Sequence, residues 1–252
     1  MSDSFNEFES RKKDHIRLAL DGKTQELVSA GFSKIKLKHQ ALPEINFSDV
    51  SLKTKLLGYE VESPHFVSSM TAGHQDSLKI NRNLAGAAAQ HSWIMAVGSQ
   101  RRELNDKQAA SEWQQIIAEL PHLKLVSNIG ILELISQPVE KILELVQNLK
   151  AVGLYIHLNS LQEVFQNNPQ VHFAGALKAI EKLVPVCPVP VLVKEVGFGI
   201  TKEVSQDLFD VGVKVVDVAG HGGTHWGKLE ALRQSEDSII YKAADAFADW
   251  GH

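Results

Sequence analysis

The side chains of this chain that could do chemistry come in clusters, and each cluster stands at the end of an apolar, strand-like run. Phe66-Val67 leads into Ser68-Ser69-Met70-Thr71-Ala72-Gly73, and Ile94 to Val97 into Gly98-Ser99-Gln100-Arg101. Leu125-Val126 leads into Ser127-Asn128-Ile129-Gly130, and Leu154-Tyr155-Ile156 into His157-Leu158-Asn159-Ser160-Leu161-Gln162-Glu163. Val191-Leu192-Val193 runs into Lys194-Glu195, and Val215-Val216-Asp217 into Gly220-His221-Gly222-Gly223-Thr224. In a parallel α/β barrel the C-terminal strand ends surround one cavity, so clusters at these positions would face a common site. For single residues the composition leaves two readings. Lys194 is either a cation at the rim or a lysine capping a strand end with its head in solvent. His157 is either part of the site or a buried histidine satisfied by a backbone carbonyl. Asp217, His221 and His225 have metal-ligand side chains, but one loop offers no scaffold to fix their geometry.

The elements that must position these clusters repeat as strand, loop and helix from Pro64 onward. Helical periodicity covers residues 75–91, 106–120, 138–151, 174–184, 201–211 and 238–250, as in Ile142, Leu143, Leu145, Val146 and Leu149. Almost wholly apolar strands alternating with helices predict a parallel sheet covered on its faces. Before that repeat, Arg11 to Leu20 reads as a short helix carrying Arg11, Lys12, Asp14, His15 and Arg17. Taken alone, such a charged stretch is a solvated helix face. A segment near Leu52 to Val61 predicts a hairpin around Gly58.

The bulk properties set limits. The 252 residues suffice for one barrel-sized domain, 1–252, with an N-terminal extension over 1–63 and βα units over 64–252. A formal net charge of −4 gives no general attraction to nucleic acid or anionic lipid, and no apolar run approaches a membrane span. Lone Cys187 excludes an internal disulfide and fits a reducing compartment, so a cytoplasmic location is expected. Residues 1–10 are acidic and polar, unlike a secretory signal.

The strand count is six, whereas a closed barrel of this class has eight. Six strands also suit an open doubly wound sheet, which usually holds a phosphate at a glycine-rich turn after its first strand. Met70-Thr71-Ala72-Gly73 does not spell that turn. The expected fold is therefore α/β, a TIM (β/α)8-type barrel that is incomplete.

Six strings in register give this pattern a family likeness. They are Arg11-Lys12-x-x-His15, Ser69-Met70-Thr71-x-Gly73, Gly98-Ser99-Gln100-Arg101, Ser127-Asn128-Ile129-Gly130, His157-Leu158-Asn159-x-Leu161-Gln162-Glu163 and Gly222-Gly223-Thr224-x-Trp226. Together they resemble type 2 isopentenyl-diphosphate isomerase, an FMN-dependent family that interconverts isopentenyl and dimethylallyl diphosphate. The resemblance runs from about residue 5 to the end. It implies that Arg11, Lys12, His15, Ser99 and Arg101 bind the diphosphate, whose oxygens suit fork-like arginine donors. It implies FMN contacts at Ser69, Met70, Thr71, Ser99, Asn128, Lys194 and Thr224, with Lys194 able to stabilise negative charge at the pyrimidine edge. It assigns His157, Asn159 and Gln162 to the reacting end of the substrate, and Glu163 to Mg²⁺. Gln162, a neutral amide, suits positioning or a proton relay better than a strong-acid role. NADPH is implied only as the flavin reductant, and a homo-oligomer is implied because relatives commonly assemble. Two other functions are carried beside this one: an FMN-barrel oxidoreductase, and an inactive truncated isomerase fragment.

The chain departs from the family in three places. Gln166-Asn167-Asn168-Pro169-Gln170 replaces an acidic, glycine-bearing loop, and His221 and His225 stand where small residues are usual. The family's seventh and eighth strands, whose loops form the general phosphate site of this barrel, have no counterpart here. Losing two charge-assisted hydrogen bonds of roughly 1.5–3 kcal/mol each would weaken FMN by about two to four powers of ten. The 252-residue chain, purified with excess FMN and desalted, is expected to show little or no flavin absorption in its visible spectrum. A stoichiometric flavin band would overturn that expectation.

Overall fold

The structure is a computed structural model that describes residues 2–26, 28–70, 76–166 and 171–251. Helix α1 (Ser2–Ala19) is followed by a strap of short turns and extended chain. An antiparallel hairpin comes next, β1 (Thr54–Leu56) with β2 (Tyr59–Val61), around Leu57 and Gly58 at φ 51° and 84°. Two consecutive left-handed residues are what a tight hairpin turn requires, and glycine adopts that conformation without a Cβ penalty.

The remaining elements alternate. They are β3 (Phe66–Val67), α2 (Ser77–Gln90), β4 (Ile94–Ala96), α3 (Ser111–Glu119), β5 (Lys124–Gly130), α4 (Ile131–Ser136) and α5 (Val139–Leu149), then β6 (Gly153–His157) and α6 (Ser160–Phe165). After them come α7 (Ala176–Leu183), β7 (Val191–Lys194), α8 (Lys202–Asp210), β8 (Val215–Asp217), α9 (Trp226–Ala231) and α10 (Ile239–Ala243). Strands β3 to β8 form one parallel sheet in chain order, curled into half of a barrel with β3 and β8 at its edges.

Several boundaries differ from the sequence expectation. The first helix begins at Ser2 rather than Arg11. The 106–120 segment contributes a 3₁₀ turn before α3, and the 238–250 segment is α10 followed by a 3₁₀ turn. Helices α4, α6 and α9, each of six residues, lie where loops were expected. Each is short enough that its periodicity cannot be read from a sequence window.

Strand parity organises the core. One face of the sheet sends Met95, Leu125, Ile129, Leu154, Ile156, Val191 and Val193 against the helices. Helix α5 answers with Ile142, Leu145, Val146 and Leu149 at three- and four-residue spacing, and it ends at Lys150 in the left-handed region. The other face sends Ile94, Ala96, Val126, Tyr155 and Leu192 into the barrel interior, where hairpin residue Val61 packs beneath them. Phe66 meets the Tyr155 ring edge-on at 5.9 Å between centroids. In contrast, the strap between Gly31 and Lys53 is exposed throughout apart from Gly31 itself, with Leu37 at 92% and Phe47 at 93% exposure.

The interior layer is the floor on which the strand-end residues stand. Leu192, 1% exposed in the middle of β7, is expected to cost about 2–5 kcal/mol when changed to alanine. Urea unfolding followed by far-UV circular dichroism checks this; a loss below about 1 kcal/mol would show that the interior layer is loosely packed.

Candidate functional site

On four of the strands, the residue two positions beyond an interior apolar one, on the same face, is polar. Asn128 follows Val126, His157 follows Tyr155, Lys194 follows Leu192, and Ser68 follows Phe66. These four line one cavity of about 620 Å³ at the C-terminal ends of the strands. Arg11, Lys12, His15, Ser69, Met70, Ser99, Arg101, Asn159, Gln162, Glu163 and Thr224 line the same cavity. Thr71, expected beside Met70, lies outside the described residues, as do residues 167–170 of the departing loop.

Helix α1 reaches the cavity because its chain is tied to the far rim. Gln25 bridges to Thr224, the Glu26 amide donates to the Gly223 carbonyl at 2.8 Å, and the His225 amide donates to Thr24 O at 2.8 Å. Gly222, at φ 121°, lies against Ala30, and a Cβ there would sit 2.6 Å from the Ala30 methyl. The strongest tie is Glu230 of α9, which is 0% exposed. Its Oε1 lies 2.9 Å from His15 Nε2 and accepts from Gln162 Nε2 at 3.0 Å and Gln166 Nε2 at 3.1 Å. Its Oε2 accepts from Arg233 Nη1 at 2.9 Å. Burial pushes this carboxyl up, but the donors from His15, Gln162 and Arg233 outweigh it and bring the pKa to about 2. Burial also lowers His15, against the pull of Glu230, so the ring is neutral at neutral pH.

Arg101 and Glu163 meet on the next wall. Arg101 Nη2 donates to Glu163 Oε1 at 3.3 Å, and its Nε pairs with Glu133 of α4. Although burial lowers it, the two carboxylates raise the Arg101 pKa. Asn159 Nδ2 donates to Gln162 Oε1 at 3.2 Å and to Glu163 Oε1 at 3.0 Å. Arg11 Nη1 donates to Gln166 Oε1 at 3.0 Å. Both functional ends of the Gln162 amide are thus engaged, one by Asn159 and the other by Glu230, and its orientation is fixed.

The strand-end layer is equally ordered. Asn128 Nδ2 donates to Val97 O at 3.2 Å, which turns its Oδ1 toward His157 Nδ1 at 3.0 Å. This network assigns the proton of His157 to Nδ1 and leaves Nε2 as an acceptor. Burial first, then Lys194, Arg101 and Lys12, hold His157 well below its ordinary pKa, so it is neutral at neutral pH. Its partner is a side-chain carbonyl rather than the backbone carbonyl considered from the sequence. Buried Gln100 supports the layer by accepting from Ser127 Oγ and from the Asn128 amide, the latter at 3.1 Å. Lys194, 7% exposed, donates to Glu195 O at 2.9 Å, and burial lowers its pKa against the pull of Asp217 and Glu195. Glu195 Oε2 accepts from the amides of Val196, Gly197 and Phe198 at 2.6, 2.7 and 2.6 Å. This cradle fixes the loop that holds Lys194.

Neither histidine of the glycine-rich loop is set up as a metal ligand. His225 Nε2 donates to Phe247 O at 2.9 Å, while its Nδ1 accepts from the Lys228 amide and caps α9. His221 Nδ1 lies 2.6 Å from Glu26 Oε2. Among the described residues no three His, Cys, Asp or Glu side chains form a cation cage.

Glu230 was absent from the sequence reading, whereas Glu195, Gln100 and Gln166 stood in the strings quoted there without a role of their own. Glu230 had one sequence signal, its place in the Trp226-Gly-Lys-Leu-Glu run just after the glycine-rich loop, but its partners come from α1 and α6. No sequence spacing joins those three elements.

The comparisons add relatives. No protein-family model matches the chain. It is 44% identical over 255 aligned residues to an isopentenyl-diphosphate delta-isomerase of Bdellovibrio bacteriovorus, covering all of this chain and 74% of that protein. It is 43% identical over 251 residues to one of Legionella pneumophila, covering 73% of that protein. A third, from Oceanobacillus iheyensis, is 41% identical over 243 residues, which is 96% of this chain and 69% of that protein. Among solved structures, a soluble mutant of (S)-mandelate dehydrogenase from Pseudomonas putida superposes with a TM-score of 0.57 at 12% identity. That match covers 96% of this chain and 76% of the dehydrogenase and shows a shared fold.

Arg11, Lys12 and Arg101 bring three basic side chains to one cavity. Burial first, then Arg11, lowers the Lys12 pKa to about 8, with Arg101 adding to the effect and Glu230 and Glu163 opposing it. The folded chain therefore binds fewer protons than the unfolded one between pH about 8 and 10.5, and this group's contribution to stability rises with pH over that window. Anion affinity moves the other way, because Lys12 loses its charge as pH rises through about 8. Calorimetric titration with inorganic pyrophosphate is expected to show affinity falling through that pH in the native chain relative to Lys12→Arg, which stays charged. Parallel pH profiles for the two proteins would show that Lys12 does not carry the titration.

Proposed function

The chain belongs to the isopentenyl-diphosphate delta-isomerase family, and from that premise we propose that it interconverts isopentenyl and dimethylallyl diphosphate using reduced FMN and Mg²⁺. The observation that carries this reading is a cavity whose one wall offers Arg11, Lys12 and Arg101 beside Glu163, while another offers Ser69, Asn128 and Lys194. A diphosphate requires the first wall and a flavin the second.

The residues present fit both groups. The Ser69 hydroxyl is buried at the cavity with no partner among the described residues, as a donor reserved for a ligand would be. A volume of about 620 Å³ suits an organic cofactor and a small substrate segment. Ser69, Met70, Ser99, Asn128, Lys194 and Thr224 would hold FMN, with Thr71 joining them. When bound, the reduced flavin supplies proton donor and acceptor positions beside the hydrocarbon end of the substrate without net redox change, and NADPH serves only to reduce it. With no cage of three His, Cys, Asp or Glu side chains among the described residues, Glu163 suits a hard cation shared with phosphate oxygens.

In this reading the chain's own groups divide the work. Arg11 and Arg101 fork onto diphosphate oxygens, and Lys12 adds a point charge. With a diphosphate oxygen on Arg101 Nη2, Glu163 would be the carboxylate that holds Mg²⁺. Gln162, locked between Asn159 and Glu230, positions the carbon skeleton. His157 presents a neutral Nε2 as an acceptor, and Trp226, edge-on to His15 at 5.4 Å, helps keep that ring in place.

Glu163→Gln tests the assignment, because the amide keeps the shape but loses the charge that holds a hard cation. With excess reduced FMN, formation of dimethylallyl diphosphate followed by proton NMR is expected to fall at least about a hundredfold in the variant and to lose its Mg²⁺ dependence. Retained activity with retained Mg²⁺ dependence would remove Glu163 from this role. No product from the native chain under the same conditions would overturn the functional reading itself.

A further inference from the structure

Glu133 lies in α4, one turn past the end of β5, and takes no part in the functions described so far. Its Oε1 pairs with Arg101 Nε, the nitrogen next to the Nη2 that Glu163 holds, and its side chain is 12% exposed against 33% for Arg101. Its Oε2 is buried without a partner among the described residues. Gly130 makes the room: a Cβ there would collide with Glu133 Oε2 and would stand 3.0 Å from His157 Nε2. The chain thus keeps a glycine at the β5 end, opposite His157 in the sheet register, and the Glu133 carboxylate occupies the space a side chain would fill.

An arginine gripped at Nε by one carboxylate has its guanidinium plane held in one rotation, and its two Nη groups still carry N–H bonds that the grip at Nε does not use. Of the two carboxylates on Arg101, Glu163 lines the cavity and Glu133 does not. An incoming anion can therefore displace Glu163 from Nη2 while Glu133 retains Nε. We propose that Glu133 is the positioning residue of Arg101, holding its guanidinium in one orientation so that Nη2 exchanges Glu163 for a diphosphate oxygen. This rests on the diphosphate reading for the identity of the anion, though the grip itself does not.

Simple electrostatics points the other way and makes the idea testable. A carboxylate near an anion site weakens anion binding, so without a positioning role its removal would tighten the site. Glu133→Gln keeps an oxygen acceptor for Nε–H and discards the charge, whereas Glu133→Ala discards both. Two measurements on the 252-residue chain separate the roles. In ¹⁵N-resolved NMR, the Arg101 Nε–H signal, assigned by its loss in Arg101→Ala, is expected to be protected from exchange in the native protein and in Glu133→Gln and to be lost in Glu133→Ala. In calorimetric titrations with inorganic pyrophosphate, Glu133→Ala is expected to bind roughly tenfold or more weaker, and Glu133→Gln to stay within about threefold of native. Placed in an Arg101→Ala background, Glu133→Ala should add nothing, which a merely structural residue would not obey. Equal or tighter binding by both variants, an unchanged Nε–H signal in Glu133→Ala, or a full additive loss in the double variant would each overturn the proposal. If Glu133→Ala does not fold, the double variant is made with Glu133→Ser. If the native chain binds no pyrophosphate, the diphosphate reading fails, and the Nε–H signal alone decides whether Glu133 grips Arg101.

Discussion

The arrangement depends on a carboxylate that no solvent reaches. A wholly buried Glu230 would be costly as an isolated charge, and it is tolerated because four side chains from three directions converge on it. His15 comes from α1, Gln162 and Gln166 from the α6 region, and Arg233 from just beyond α9. Satisfying that charge docks the N-terminal helix onto the barrel mouth. The orientations of Arg11 and Lys12, one turn from His15, follow from that docking, as does the fixed amide of Gln162. Removing one donor would leave a buried charge short of partners, so the network acts as a unit rather than as separable contacts.

Beneath this hub, strand parity divides the sheet into an apolar floor and a polar ceiling. Val126, Tyr155 and Leu192 fill the interior with Val61 of the hairpin below them. Two residues on, Asn128, His157 and Lys194 stand on that packing and share the cavity. Because the side-chain period of a strand is two, a slip of one residue would send the polar set into the helix layer. The stability of the floor and the geometry of the site are therefore one property.

Charge around the cavity is balanced internally. Arg101 is held by Glu133 and Glu163, and Arg233 by Glu230. Such pairs keep half-buried cations ordered at modest net cost and leave them able to change partner when a stronger anion arrives. Lys12, depressed by burial and by the two arginines, is the member whose charge depends most on what occupies the cavity.

How much of this was readable in the sequence follows from the range over which each feature is encoded. Alternation of apolar strands with amphipathic helices, the Gly58 hairpin and the chemistry-bearing strand ends depend on neighbours within a few residues, so a linear pattern carries them. The six register-matched strings carried the family, and with it the cavity-lining positions from Arg11 to Thr224. Helices of six residues escaped because they are shorter than the period needed to detect them. Glu230 and Glu133 escaped for a different reason. Each is an ordinary acidic residue on a short helix, and its meaning lies in partners far away in sequence, His15 and Gln162 for one and Arg101 for the other. The sequence determined which elements form and which residues crown them. Only the tertiary structure decided which charges are buried together, because burial and pairing are set by distances in space that residue order does not specify.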